Sequence, residues 1–210
     1  MAARKTYKNF QGFLSLLINK TNVRFYKESP QTLNKVAAFL KEGGVVICPT
    51  DTVYGFLADA SNKKAVEKIY EIKKRPKSKP LPLFVKDIKM AHEIAFINEE
   101  HLENVKSRWP GKYTFVLKKK KGLKLYGVDK NTVALRLPNY KFLNNLLKKV
   151  DMPLAQTSVN ISGQPVLINI NDIVAKFGKT DIMVVDDGNL KISEPSKIID
   201  LTAKYLTRIR

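Results

Sequence analysis

Apolar and polar residues alternate along this chain in two kinds of pattern, one typical of strands and one of helices. The run Val45–Cys48 is apolar and mostly β-branched, and because Pro49 cannot donate to a β-ladder, it predicts a buried strand that ends at the proline. Upstream, Ser29 and Pro30 are suited to begin a helix whose apolar spacing continues as far as Gly43. The same criteria predict further helices from about 61 to 75 and at 87–107, 140–150 and 170–177, and strands at 81–85, 113–117, 132–137, 154–157, 182–185, 196–201 and 205–210.

The order of these elements indicates the fold class. Helices and strands alternate over most of the chain, which favours an α/β fold. Between residues 113 and 137 two strands follow each other without a helix, which favours an antiparallel portion. We therefore expect a twisted open mixed sheet, with parallel and antiparallel strands, flanked by helices and formed by residues 29–210 as one domain.

Residues 1–28 have a different composition. No acidic residue occurs before Glu28, and basic residues surround the apolar run Phe13–Ile18. This composition favours a basic N-terminal extension that packs on the domain. A targeting peptide stays open as an alternative, although the apolar run is short and no small-residue cleavage site follows it.

The charge of the chain is unusual. Lys and Arg number 38 against 19 Asp and Glu, for a formal net charge of +19. Such a surface attracts polyanions, so RNA binding in low salt is expected, as a nonspecific electrostatic effect. Compositional bias is the competing explanation, because only seven of the 38 basic residues are arginine. The single cysteine, Cys48, fits a reducing compartment, and no apolar run approaches the roughly 20 residues of a membrane span, so we expect a cytoplasmic protein.

The usual catalytic sets are missing from the sequence. It contains no glycine-rich phosphate loop and no Cys/His cluster with metal-ligand spacing. His92 and His101 lie among charged residues in a predicted helical region and are expected to be surface residues without a catalytic role, whereas Cys48 lies in an apolar strand and is expected to be a small core residue. The remaining candidates are cations and hydroxyls, which suit adenylyl transfer, a reaction that needs charge neutralisation and positioning more than a protein nucleophile.

Three separated motifs carry a family resemblance. Pro49–Gly55 reads PTDTVYG, Lys73–Leu81 contains K-x-R-P followed by Pro-Leu, and Thr157–Gly163 reads TSVNISG. In this order they resemble the YrdC/Sua5 family, and the resemblance covers about residues 30–210. It implies the YrdC-like fold and L-threonylcarbamoyladenylate synthase activity, a nucleotidyl transfer. L-threonine, bicarbonate or CO2, and ATP with Mg2+ would give threonylcarbamoyl-AMP and pyrophosphate. The product would serve the t6A modification of adenosine 37 of tRNA through a downstream threonylcarbamoyl transferase complex.

The resemblance also implies roles for individual residues. Lys73, Arg75, Ser158 and Asn160 match the polar tetrad of the nucleotide site and are the expected catalytic residues. Thr52, Arg136 and Ser196 match positions that bind threonine, and Lys79, Thr132 and Arg210 match further ATP contacts. For Arg136 the residues themselves add an argument, because an arginine in an apolar strand needs a partner, although a structural ion pair would also satisfy it. Tyr54 is expected to shape the loop or pack beneath the site.

Some positions depart from the family pattern. Phe84 occupies the place of a histidine that would face the amino-acid pocket, which leaves threonine selectivity open. Lys197 replaces a usual threonine after Ser196. The alternative interpretation is therefore a non-catalytic YrdC-like protein that binds RNA or a nucleotide, for which the charge is the main support. The intact K-x-R and S-x-N residues favour the enzyme. Transfer to another carbamoyl acceptor, as in hydrogenase maturation proteins, has no support in this sequence.

Overall fold

The computed structural model describes residues 24–191 and 193–202, and the backbone of 207–208. In chain order the elements are β1 (Arg24–Lys27), α1 (Pro30–Lys41), β2 (Val46–Cys48), β3 (Gly55–Asp59), α2 (Lys63–Lys73), β4 (Leu83–Phe84), α3 (Ile88–Ile94), α4 (Glu99–Lys106), β5 (Tyr113–Lys118), β6 (Thr132–Arg136), α5 (Lys141–Val150), β7 (Leu154–Ser158), α6 (Ile170–Phe177), β8 (Met183–Asp186), β9 (Lys197–Asp200) and β10 (Thr207–Arg208). None of these helices is long and apolar enough to cross a membrane.

Within the described residues ten strands form one open sheet, in the order β1-β8-β2-β3-β7-β4-β6-β5-β9-β10. Four neighbouring pairs are parallel, namely β1/β8, β8/β2, β4/β6 and β5/β9, and the other pairs are antiparallel. The predicted α/β fold with a mixed open sheet is therefore confirmed. The predicted strand at 205–210 is described only at Thr207 and Arg208.

Two strands were not predicted. The first, β3, begins at Gly55 and runs antiparallel to β2, with Cys48 opposite Gly55. The PTDTVYG motif therefore forms the connection of a hairpin. The second, β1, lies within the predicted basic extension and pairs in parallel with β8, so the sheet begins before the predicted domain start at residue 29. Residues 1–23 lie outside the described part of the chain, so the rest of the extension stays a prediction.

The local signals for helix starts match the structure. Ser29 caps α1, because its side chain accepts a hydrogen bond from the Thr32 N–H, and Pro30 follows as the first helical residue. Asn62 caps α2 in the same way through the Ala65 N–H. The predicted helical region 87–107 is divided into α3 and α4, which are capped by Asp87 and Asn98.

The sheet is buried on both faces over part of its width. One face packs against α1 and α5, through residues such as Leu40 and Leu147. The other packs against α2, α3, α4 and α6. Alternate residues of a strand lie on the same face. Leu154 of β7 packs against the α1 and α5 layer, whereas Gln156 and Ser158, on the same face, line a cavity. The α1 and α5 layer therefore ends partway across the sheet, and the rest of that face is the floor of the cavity.

Candidate active site

A cavity of about 790 Å3 lies on this open part of the sheet. The floor comes from alternate residues of β5, β6, β7 and β9, and the wall from the hairpin connection, the loop after α2 and the segment before β6. Its volume is in the range of small-molecule sites. Six predicted site residues line it: Thr52, Arg75, Thr132, Arg136, Ser158 and Ser196. Arg210 lies outside the described residues.

Lys73, the last residue of α2, is held by the S-x-N turn. Its side chain is 1% exposed. The ammonium donates to the Ser158 carbonyl at 2.6 Å, the Asn160 carbonyl at 2.9 Å and Asn160 Oδ1 at 2.7 Å. Because a lysine ammonium has three N–H donors, all are engaged by this turn. Lys73 therefore fixes the turn that carries Ser158, and its own side chain does not line the cavity.

Further hydrogen bonds complete this turn. The Ser158 hydroxyl donates to Asn160 Oδ1 at 2.9 Å, and Asn160 Nδ2 donates to the Gln164 carbonyl at 2.7 Å. The carbonyl of Lys73 accepts the Ser162 N–H at 2.8 Å. Burial of the ammonium, with the nearby Arg75 charge as a smaller cause, lowers the pKa of Lys73 to about 8. The K-x-R and S-x-N motifs thus form one hydrogen-bonded unit.

Arg75 presents a guanidinium on the cavity wall. It follows Lys74, whose positive φ of 50° ends α2 and redirects the chain. Arg75 Nε donates to the Lys79 carbonyl at 3.0 Å and Nη2 to the Pro80 carbonyl at 2.9 Å. Burial lowers the pKa of Arg75, which nevertheless stays protonated because arginine is effectively always charged. Two of its five N–H donors are used to order the loop, so the planar group is held in one orientation.

The other predicted ATP contacts differ in their position. Thr132 lines the cavity, where its hydroxyl donates to Asp129 Oδ1 at 3.1 Å. The same carboxylate oxygen accepts the N–H groups of Asn131 and Thr132, and these bonds lower the pKa of Asp129. Lys79 does not line the cavity, and its side chain is exposed. Its backbone carbonyl instead accepts hydrogen bonds from Arg75 and Tyr70.

Arg136 has the partner that its apolar strand predicts. Its side chain is buried and its Nη2 lies 2.6 Å from Asp51 Oδ1, while Nε donates to the Gly111 carbonyl at 3.0 Å. The open alternative of a structural ion pair is therefore realised in this structure. Arg136 also lines the cavity, so its role toward threonine stays a prediction beside the ion pair.

Hydroxyl groups line the cavity beside this ion pair. The Thr50 hydroxyl donates to the Val53 carbonyl at 2.7 Å, and it lies 3.0 Å from the Thr52 hydroxyl. The Thr50 oxygen also accepts the N–H groups of Thr52 at 3.0 Å and Val53 at 3.2 Å, so Thr50 orders the hairpin connection while Thr52 lines the cavity. On β5 and the approach to β9, Thr114 and Ser196 pair their hydroxyls at 3.0 Å.

Tyr54 lies beneath the hairpin connection, as expected. Its ring is completely buried, and its hydroxyl donates to the Gly188 carbonyl at 2.7 Å and accepts the Asp187 N–H at 3.0 Å. Burial raises the pKa of Tyr54. A phenol that stays protonated and holds two backbone groups stabilises the loop, so Tyr54 has a structural role.

Phe84 corrects one expectation. The sequence predicted that it would stand where a histidine faces the amino-acid pocket. In the structure Phe84 does not line the cavity, and it is 1% exposed within the core between the sheet and the α1 and α5 layer. The Arg136 guanidinium carbon lies 5.7 Å from its ring centroid. An apolar ring is more stable in the core than at a polar cavity, and this residue supports Arg136 from behind.

Cys48 is the core residue that the sequence predicted, and the two histidines lie away from the cavity lining. Cys48 is completely buried, and burial raises the pKa of its thiol, so it is not a nucleophile here. Neither His92 nor His101 lines the cavity. In the described part of the chain no group of three or more His, Cys, Asp or Glu side chains could hold a metal ion.

The sequence missed several residues of the site. Asp51 and Thr50 stand inside the PTDTVYG motif, and their polar side chains in a strand-end loop were the available signal. Thr114 and Val116 lie on the same face of β5, but the alternation of residues along a strand does not show which face lines the cavity. Asp129 gave no sequence signal, because its position depends on how the segment before β6 folds.

Comparisons with known proteins show the family of this chain. The Sua5/YciO/YrdC family model, described as "Telomere recombination", matches residues 38–210. This chain belongs to that family. A Methanocaldococcus jannaschii protein named as a threonylcarbamoyl-AMP synthase is 35% identical over 192 residues, which is 90% of this chain and 91% of the relative.

The solved structures of the family have the same fold. Sua5 from Pyrococcus abyssi, complexed with L-threonine, superposes with a TM-score of 0.79 at 31% identity, over 90% of this chain and 56% of that one. A Pyrococcus abyssi protein named threonylcarbamoyl-AMP synthase is 35% identical over 171 residues. The match covers 79% of this chain but 49% of that relative, so this family member spans about half the length of the Pyrococcus protein.

Proposed function

We propose that this chain is an L-threonylcarbamoyladenylate synthase, a nucleotidyltransferase that condenses L-threonine, bicarbonate or CO2, and ATP. The observation that carries the proposal is the cavity itself. It joins Arg75 and the Lys73-supported Ser158 turn to a second group of residues, Thr52, Arg136 and Ser196. One group suits phosphates and the other suits an amino acid. The relatives named for this activity, and the Pyrococcus Sua5 complex with L-threonine, support the same assignment.

The phosphate side of the proposed mechanism uses Arg75, Ser158 and Lys73. The ordered guanidinium of Arg75 offers N–H donors in a plane that matches phosphate oxygens. The Ser158 hydroxyl, which donates to Asn160 Oδ1 in this structure, would turn from that bond to donate to a phosphate oxygen. The charge of Lys73, itself shielded from solvent, lies directly behind the Ser158 turn and would add a positive potential there. These groups would stabilise charge that develops on the α-phosphate and on the leaving pyrophosphate.

The amino-acid side uses Arg136, Thr52 and Ser196. Arg136 would bind the threonine carboxylate, and the Thr52 hydroxyl oxygen would accept a hydrogen bond from its amine. The amine nitrogen forms a C–N bond with CO2 and loses a proton to give a carbamate; when bicarbonate is the donor, the bond from its carbon to the hydroxyl oxygen breaks and water leaves. The carbamate oxygen then forms a bond to the α-phosphorus, the bond from that phosphorus to the bridging oxygen breaks, and pyrophosphate leaves. Positioning of two reactants in one cavity is the main contribution of the protein.

We propose that Mg2+ enters with ATP, bound to the triphosphate, as Mg2+ commonly is in such reactions. The cavity wall offers the Asp129 carboxylate, whose Oδ1 already accepts three hydrogen bonds. A site with one protein carboxylate and substrate phosphates fits the coordination habits of Mg2+. The ion would neutralise phosphate charge, while Arg75 and Ser158 orient the phosphates.

The product is a mixed anhydride, which a further protein must consume by transferring the threonylcarbamoyl group. We propose that the acceptor is adenosine 37 of tRNA, through a downstream transferase complex in the cytoplasm. The net charge of +19 supports contact with RNA, whether tRNA or a double-stranded segment. Binding that disappears at moderate salt would indicate only the nonspecific electrostatic effect.

The test is pyrophosphate release from ATP and bicarbonate, with threonine, serine, other amino acids or none, for wild type, R75A and R108A. Arg108 hydrogen-bonds at the end of α4, lies over the Tyr113 ring and does not line the cavity, so R108A is the matched control. Threonine-dependent release that falls by about 100-fold or more in R75A, and stays within about twofold in R108A, supports the proposal. Release without amino-acid preference would overturn threonine as the substrate, and no release with ATP or RNA still bound would support the binding-protein alternative.

A further inference from the structure

Asp51 is a largely buried carboxylate that contacts Arg136, a residue of the cavity lining, and it was not among the predicted site residues. Its Oδ1 lies 2.6 Å from Arg136 Nη2, and the side chains of the two residues are 8% and 3% exposed. Its Oδ2 accepts the Asn139 N–H at 3.1 Å. Both oxygens of Asp51 are therefore engaged, by β6 and by the segment that leads into α5.

Arg136 is held on three sides. Asp51 binds Nη2, the Gly111 carbonyl binds Nε, and the Phe84 ring lies behind the guanidinium. Gly111 is itself tied to the strand end, because its N–H donates to the Leu137 carbonyl at 2.9 Å. Contacts at both Nε and Nη2 fix the plane of the guanidinium as well as its location.

The plane matters because a guanidinium recognises a carboxylate through parallel N–H bonds, which form only when the fork is aligned with the ligand. Asp51 is a charged contact of Arg136, and removing one partner of a buried ion pair is costly because the other charge loses that compensation. Asp51 is also the neighbour of Thr52 in the hairpin connection. One carboxylate therefore links the orientation of Arg136 to the position of the Thr52 oxygen.

We propose that Asp51 is a positioning residue for the amino-acid substrate. It holds Arg136 in the orientation that receives the substrate carboxylate and keeps the hairpin connection, with Thr52, at the matching distance. This inference rests on the proposed synthase function. A purely structural ion pair predicts something different, namely a loss of stability with unchanged kinetic constants in the protein that remains folded.

The test compares D51N with D151N in the pyrophosphate-release assay, with threonine and ATP varied separately. Asp151 forms an ion pair with Lys86 at 2.5 Å and does not line the cavity, so D151N is a matched carboxylate-to-amide control. We expect D51N to raise the KM for threonine by about 10- to 100-fold and the KM for ATP by less than about threefold. D151N is expected to leave both constants within about twofold.

The R136K background tests whether Asp51 acts through the fork of Arg136. Lysine keeps the charge but has no planar fork, so adding D51N to R136K should change the threonine KM by less than about threefold. If D51N does not fold by circular dichroism, D51E carries the test, because it keeps the charge while displacing the carboxylate by one methylene, and the same selective rise in threonine KM is expected.

The outcomes separate the inference from the function on which it rests. Wild type without threonine-dependent release overturns the synthase proposal, and this inference with it. An active wild type with D51N kinetics equal to those of D151N overturns the inference alone, as does an equal rise in both KM values. A selective rise in the threonine KM that disappears in the R136K background supports it.

Discussion

Replacing Lys73 by methionine separates a buried charge from the turn that it supports. Methionine keeps much of the apolar stem but cannot donate to the Ser158 carbonyl, the Asn160 carbonyl or Asn160 Oδ1. A lysine that is 1% exposed costs free energy to keep charged, and that cost can be read from the lowered pKa. The variant removes this cost and the hydrogen bonds together, so the two effects oppose each other.

The magnitudes indicate which effect dominates in each measurement. A pKa lowered from 10.5 to about 8 corresponds to about 3 kcal/mol of cost at neutral pH. K73M leaves two buried carbonyls without this donor, at about 1–3 kcal/mol each, while Asn160 Oδ1 still accepts the Ser158 hydroxyl. The relief of the burial cost largely offsets the loss of the two hydrogen bonds to the carbonyls, so we expect the free energy of unfolding to change by less than about 3 kcal/mol. The local order of the Ser158 turn is lost, so we expect pyrophosphate release to fall by about 100-fold.

The pH dependence gives a second, independent result. Between about pH 8 and pH 10.5 the folded protein binds fewer protons at Lys73 than the unfolded chain does. The free energy of unfolding of wild type, relative to K73M, should therefore be constant below about pH 8 and rise above it by about 1.4 kcal/mol per pH unit. Wild-type activity should fall over the same range, because a neutral amine has only two N–H donors for three acceptors.

The assay is urea unfolding followed by circular dichroism at about pH 7 and about pH 9.5, with pyrophosphate release measured in parallel. K64M is the control, because Lys64 is exposed on the same helix. A wild-type minus K73M difference that stays flat from pH 7 to pH 9.5 would refute the assigned burial cost. K73M activity within about threefold of wild type would refute the role of Lys73 in the turn.

Three further changes test the fold around the site. Y54F should lower the free energy of unfolding by about 1–3 kcal/mol, because the Gly188 carbonyl and the Asp187 N–H lose their hydrogen bonds to the Tyr54 hydroxyl. An unchanged melting temperature would contradict this. L147A, in the α1 and α5 layer, should cost about 2–5 kcal/mol in urea unfolding without changing kcat in the folded protein; a lower kcat at unchanged stability would be the opposite result. G127A should destabilise by at least about 1 kcal/mol, because residue 127 has a φ of 69° and an added Cβ would lie 2.8 Å from Val66; melting at the wild-type temperature would argue against that backbone conformation.

The elements that the sequence predicted correctly depend on local interactions. The starts of α1 and α2 follow from Ser29 and Asn62, whose side chains bond N–H groups three residues away. The mixed sheet follows from the order of the elements. Strand β3 was missed because Gly55 continues a polar loop, and its strand character comes from pairing with β2 and β7. Strand β1 was missed because its neighbour β8 is distant in the chain.

In the candidate site, too, the sequence indicated several of the residues, whereas their contacts are visible only in the tertiary structure. The resemblance to the YrdC/Sua5 family indicated Lys73, Arg75 and Ser158, and for Arg136 the sequence added that an arginine in an apolar strand needs a partner. Only the tertiary structure decided what each contacts: Asp51 beside Arg136, the Ser158 turn around Lys73, and the core around Phe84. Residues 51 and 136, like 73 and 158, are 85 positions apart in the chain. Contacts at that separation depend on the packing of the whole sheet, and no pattern of neighbouring residues specifies them.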